Sequence, residues 1–180
     1  MGPRRRRLLR DHAEHLLEQC GVERLSVDVL AIADWLSIKV ISQRIPDSSV
    51  SGYYLRRGQE RIIGVNANHS LTRRRFTIAH ELGHVLLLAH DDLHVDRTVK
   101  LRDSNSSQGV DRHAVEANQF AAELLMPFEM IQREVNERGG IDIYDERQVS
   151  NLARSFGVST QALLIRLSDR GFVLSGNPLA

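Results

Sequence analysis

The chain has 180 residues, of which 42% are hydrophobic and 26% charged, with a formal net charge of +1. That length suits one domain, or one with a small appendage, and the apolar share is enough for a packed core. The near-neutral balance gives no global electrostatic case for nucleic acid, and the single cysteine, Cys20, excludes an internal disulfide or a multi-thiolate metal site.

At the start, "MGPRRRRLLRDHAEHLL" places only two leucines after its arginines, too short an apolar run for a secretory signal. No later run approaches the length of a membrane span, so a cytoplasmic protein is expected. The run Arg4 to Arg7 reads as a solvated basic tail. Leu8, Leu9, His12, Leu16 and Leu17 recur at helical spacing and predict an amphipathic helix over 7–20, with Gly21 as its C-cap. Val29, Leu30, Ala33, Trp35 and Leu36 repeat the pattern over 27–37. "IKVISQRI" is extended, and "SGYYLRRGQERIIGVNA" reads as two strands around a turn at Gly58. The edge of the strand Ile62 to Val65 is a candidate for binding a peptide by β-addition.

A polar connector over 66–72 leads into an apolar helix from Phe76 to Ala89. Residues 91–110 are polar and read as a long loop of the kind that borders active sites. "VEANQFAAELLMP" predicts another helix, stopped near Pro127. "FEMIQREVNERGG" continues helically to Gly139 and Gly140, and a last pair spans 146–155 and 159–169 around "FGVS".

The apolar helix holds "RFTIAHELGHVLLLAH", with His80, Glu81 and His84 in the order H-E-x-x-H. Positions i and i+4 of a helix differ by about 40° of rotation, so His80 and His84 project to one side, close enough to bind one ion. Zinc favours neutral imidazole nitrogen and, in catalytic sites, keeps a position open for water. Glu81 lies beside that face, placed to take a proton from the attacking water and return it to a leaving amine. Gly83 leaves room for another segment to approach. The longer pattern H-E-x-x-H-x-x-G-x-x-H would enlist His90, but it needs a glycine at 87, where this chain has Leu87. A helix running straight on turns His90 about 240° from His84, so His90 is set aside. His90 is read as an ordinary residue near the helix end; His90 and His94 also form an i, i+4 pair, but in an exposed "HDDLH" setting that is not the expected site.

"NANHSLTRRRFTIAHELGHVLL" together with "EANQFAAELLMP" resembles the ImmA/IrrE family of zinc metallopeptidases. The resemblance implies an intracellular, phage- or stress-linked peptidase that cuts a regulatory protein, such as a helix-turn-helix repressor or an antitoxin. By position it makes His80 and His84 the Zn2+ ligands and Glu81 the catalytic acid/base. The family's ligand glutamate lies four residues before the asparagine of "AN", here Asn118, and that position is Ala114. Ala117, Phe120, Ala121, Leu124 and Leu125 define the buried face, with 114 near its edge and Glu116 and Glu123 on the opposite side. The third ligand is therefore Asp111, His113, Glu116 or none.

"LARSFGVSTQALLIRLSDRGFV" has helix-turn-helix spacing, with Ser159 able to cap the second helix. Only Thr160, Gln161 and Arg166 would suit base reading, so nucleic acid is not the expected partner. The expected fold is α+β, a small antiparallel sheet beside a mainly helical zincin-like core over 1–139, with a helical pair over 140–180 packed on it. The expected function is zinc endopeptidase activity; the rivals are a catalytically impaired binding module and a DNA-binding regulator using 148–170.

Overall fold

The computed structural model describes residues 1–88, 93–97 and 112–169. His90, Asp111 and most of the predicted loop over 91–110 lie outside them.

Helix α1 spans Pro3–Gln19, with Pro3 in the first turn, where its missing N–H is no loss. Leu9, Ala13, Leu16 and Leu17 are its buried face, and Gly21, at φ +63°, closes it as expected. The arginine run is the first turns of this helix rather than a tail; Arg4, Arg6 and Arg7 are exposed as expected, but one of the four is not. That one is Arg5, whose Nε and Nη2 donate to the two carboxylate oxygens of Glu116 at 2.9 and 2.5 Å. Helix α2, Val29–Trp35, starts at Asp28, whose carboxylate accepts from the N–H groups of Leu30 and Ala31.

Strands β1 (Lys39–Gln43), β2 (Val50–Arg57), β3 (Glu60–Asn66) and β4 (Leu93–Arg97) form a sheet in the order β1-β3-β2-β4. The hairpin β2–β3 turns at Gly58, whose φ of +61° suits glycine. The sheet is mixed rather than wholly antiparallel, because β1 runs parallel to β3. The connector after β1 carries the chain one strand's width away, and β3 fills the gap. Asn66, fully buried, pins that connector by donating to the carbonyls of Val50 and Ile45 and accepting from the Ile45 N–H. One consequence is a correction: Ile62 to Val65 lie between β1 and β2, with ladder partners on both sides, and offer no free edge for a peptide. A second concerns 93–97, expected within a loop; these residues pair antiparallel with β2, His94 opposite Tyr54.

Helix α3, Leu71–Leu88, packs across the sheet. Gly52 makes the approach possible, since a Cβ there would fall 2.5 Å from Thr77 Cγ2. Helix α4, Arg112–Leu125, crosses α3. Pro127 ends that run and begins α5, Phe128–Glu137. Helices α6, Glu146–Phe156, and α7, Thr160–Asp169, are joined by Gly157 in the left-handed conformation, and the Ser159 hydroxyl accepts from the Ala162 N–H. Leu152, Phe156, Leu163 and Leu167 of this pair share one core with Leu82, Phe120 and Leu124. Arg75 of α3 reaches the same turn, donating to the carbonyls of Gly157 and Val27. The α+β, mainly helical class read from the sequence is the class observed.

Helix α4 is covered on more than one flank. Glu116 and Glu123, expected to point to solvent, are 4% and 2% exposed. Glu116 is held by Arg5 and also lies 3.4 Å from Arg112. Glu123 is held by Arg166 of α7, which donates to the Met126 carbonyl as well. Arg166 is thus buried and cannot serve as a base-reading residue.

The Arg5 guanidinium, outweighing the effect of burial, holds the Glu116 carboxyl below its ordinary range. A carboxylate stabilised in the folded state contributes stability above its unfolded value and loses it as pH falls through the lowered one. Glu116→Gln is therefore expected to lower stability at neutral pH and to narrow the gap between neutral and acidic solution, read from urea melts across pH.

Candidate metal centre

His80, Glu81 and His84 sit midway along α3, where it faces α4. All three are buried, at 3%, 0% and 5% exposure. Burial of two imidazoles and a carboxylate side by side is unfavourable unless they are partnered. Helical geometry sets the two rings edge to face, 4.6 Å between centroids and 71° between planes, and their Nε2 atoms converge to 3.0 Å. His80 Nδ1 lies 2.8 Å from the Asn118 Oδ1 on α4. An amide oxygen only accepts, so Nδ1 carries the proton and the His80 Nε2 presents its lone pair toward His84.

The donor set suits a zinc ion. Two ligands of a tetrahedral zinc, each bonded at about 2.0–2.1 Å, lie about 3.3 Å apart, close to the 3.0 Å observed between the two Nε2 atoms. The hydrogen bond from the far nitrogen is the support a ligating histidine normally has. Asn118 was missed as a positioning residue, although its place one turn after position 114 was the available signal.

The remaining candidates separate. Ala114 lies four residues before Asn118, one helical turn along the same side of α4, and is half-buried. Glu116 faces α1 and is committed to Arg5, so it is not a third ligand. His113 is exposed. Among the described residues no group of three His, Cys, Asp or Glu side chains converges in a way that could hold a metal.

Gly83 explains how α4 comes so near. A Cβ there would lie 3.1 Å from the Ala117 Cα and 3.1 Å from Phe120 Cδ1, and Phe120 is fully buried. Neither backbone nor packed ring gives way easily. Gly83→Ala would ordinarily gain about 1 kcal/mol of helix propensity. Here overpacking by about 1–3 kcal/mol offsets or exceeds it, and a net loss of up to about 2 kcal/mol is expected in urea denaturation.

A buried H-E-x-x-H helix, braced by a second helix and backed by a small sheet, defines a metallopeptidase-type scaffold. Residues 33–168 match the family model described as the IrrE N-terminal-like domain, a peptidase family, and the chain belongs to that family. The chain is 26% identical over 139 residues to the uncharacterized immunity region protein 2 of Bacillus phage phi105, covering 74% of this chain and 84% of that one. It is 33% identical over 112 residues to the radiation response metalloprotease IrrE of Deinococcus deserti, covering 62% of this chain and 37% of that one. A solved structure of a Mycobacterium tuberculosis transcriptional regulator superposes with a TM-score of 0.60 over 89% of this chain and 46% of that chain, at 23% identity, a likeness of fold. The chain thus spans over a third of the IrrE protein and under half of the regulator.

Proposed function

We propose that the protein is a zinc-dependent endopeptidase acting inside the cell on a regulatory protein, such as a helix-turn-helix repressor or an antitoxin. The observation that carries the reading is the convergence of the His80 and His84 Nε2 atoms beside the buried Glu81. In this reading His80 and His84 hold the ion, and Asn118 fixes the tautomer and ring orientation of His80. Bound zinc supplies a Lewis acid that polarises the scissile carbonyl and makes water a nucleophile at neutral pH. Glu81 accepts the proton of the attacking water and returns it to the leaving amine nitrogen. The rigid helix sets the distance between that carboxylate and the imidazoles before substrate arrives.

The metalloprotease relative supports a peptidase, and the immunity-region relative supports a regulatory target. Among the described residues no helix is long and apolar enough to cross a membrane. The test is Glu81→Gln: hydrolysis of a candidate repressor is expected to fall at least about a hundredfold, with bound zinc unchanged. Retained hydrolysis removes Glu81 from the mechanism.

Ala114 favours a second reading. A metal held by two histidines alone is weakly bound, and the scaffold would then grip a regulator without cutting it. Binding of the regulator without cleavage, with cleavage appearing in Ala114→Glu, is the result this reading expects.

A further inference from the structure

We infer that α1 is a self-pairing helix, through which two copies of this chain associate in antiparallel fashion. Arg4, Arg7, Asp11, Glu14 and Glu18 are spaced alternately three and four apart, so they form one stripe along the helix. The stripe faces outward. Arg4 is exposed, and the side chains of Arg7, Asp11, Glu14 and Glu18 are 77%, 54%, 41% and 79% exposed. Its charges are sorted, with both arginines toward the N-terminus, Asp11 at the middle and both glutamates toward the C-terminus.

That order opposes the helix dipole, which favours acids at the start and bases at the end. Helix α1 has no acid in its first turn and no base in its last. Neutralisation within one copy is loose. Arg7 and Arg10 each lie 3.8 Å from Asp11, Arg10 lies equally far from Glu14, and Glu18 lies 3.9 Å from His15. Reversing one copy against another brings Arg4 to Glu18 and Arg7 to Glu14, and two-fold symmetry makes each contact twice. Asp11 then lies near the axis, already flanked by Arg7 and Arg10. The two helix dipoles are also opposed, whereas a parallel pair would face like charge with like.

The acidic end adds shape to charge. It borders a depression of about 460 Å³ where four carboxylates, Glu14, Glu18, Glu23 and Glu129, outnumber one arginine, Arg133, over apolar side chains such as Val22 and Met130. Carboxylates over apolar side chains suit an arginine, which lays its methylene stem on apolar surface and keeps its head charged. Partial burial pushes the Glu14 carboxyl up, and Glu129 and Asp11 add to that effect against Arg10, a crowding that an incoming guanidinium relieves. Leu8, 42% exposed beside the stripe, would be covered in the pair. None of this depends on whether His80 and His84 bind metal.

The test is sedimentation of the whole chain at about 50 mM and about 500 mM salt, where screening lengths differ severalfold. A dimer is expected at low salt, with at least a tenfold weaker association at high salt. Arg4→Glu with Arg7→Glu, and separately Glu14→Arg with Glu18→Arg, should each give monomers with unchanged circular dichroism. Arg5 and Arg10 are left in place, because Arg5 anchors Glu116. Mixing the two reversed variants should restore a 1:1 heterodimer. If a reversed chain does not fold, Arg4→Gln with Arg7→Gln should still weaken the dimer at least tenfold. A monomer at low salt overturns the proposal, as does a dimer indifferent to salt and to these changes, or a mixture that stays apart.

Discussion

Replacing Arg166 with leucine is expected to lower the unfolding free energy by about 3–5 kcal/mol, because it leaves the Glu123 carboxylate buried without its cation. Both side chains are 2% exposed. The guanidinium also donates to the Met126 carbonyl at 2.9 and 3.1 Å, so the change frees a second buried acceptor at the end of α4. Gln119 donates to Glu123 at 2.9 Å and softens the loss without replacing the charge. The double change Glu123→Leu with Arg166→Leu should cost less than Arg166→Leu alone, since no uncompensated charge remains. Urea denaturation of the three variants gives the comparison. Single and double changes of equal cost would mean that the pair contributes packing only. The contact ties α7 to the helix that carries Asn118, so the C-terminal pair is part of what holds α4 against His80.

The second large effect concerns position 114. Ala114→Glu is expected to tighten zinc binding by roughly a hundredfold or more, since it adds a charged ligand to a pair of imidazoles. The geometric reason is Asn118. Its amide already meets His80, and position 114 lies one turn earlier on the same side of α4. Competition against a chromophoric chelator measures the gain. A gain below about threefold would mean that position 114 does not face the imidazoles, or that another group already completes the set.

Most helices were legible because each buries a stripe with its own period. Leu9, Ala13, Leu16 and Leu17, or Val149, Leu152, Ala153 and Phe156, are patterns that a helix alone can satisfy. The His80, Glu81 and His84 unit was legible for the same reason, since five residues on one helix fix their own geometry. What was not legible joins distant parts of the chain. Nothing near Arg5 indicates that it meets Glu116, 111 residues away, and nothing near Arg166 indicates Glu123, 43 residues away. Each of these carboxylates was therefore assigned to solvent from the composition of its own helix, when each is buried by a partner helix. The parallel pairing of β1 with β3 escaped for a related reason. Alternation identifies a strand but not its neighbour, and the Asn66 hydrogen bonds that carry the chain across form only in the assembled sheet.

The proposed activity requires His80 and His84 to hold one ion between α3 and α4. Isothermal titration of metal-free protein with zinc tests this most directly, run beside His80→Ala and His84→Ala with folding checked by circular dichroism. One zinc per chain is expected in the native protein, lost in either variant while the fold persists. Zinc binding that survives both substitutions, or a native protein that takes up no zinc, would contradict the proposed activity.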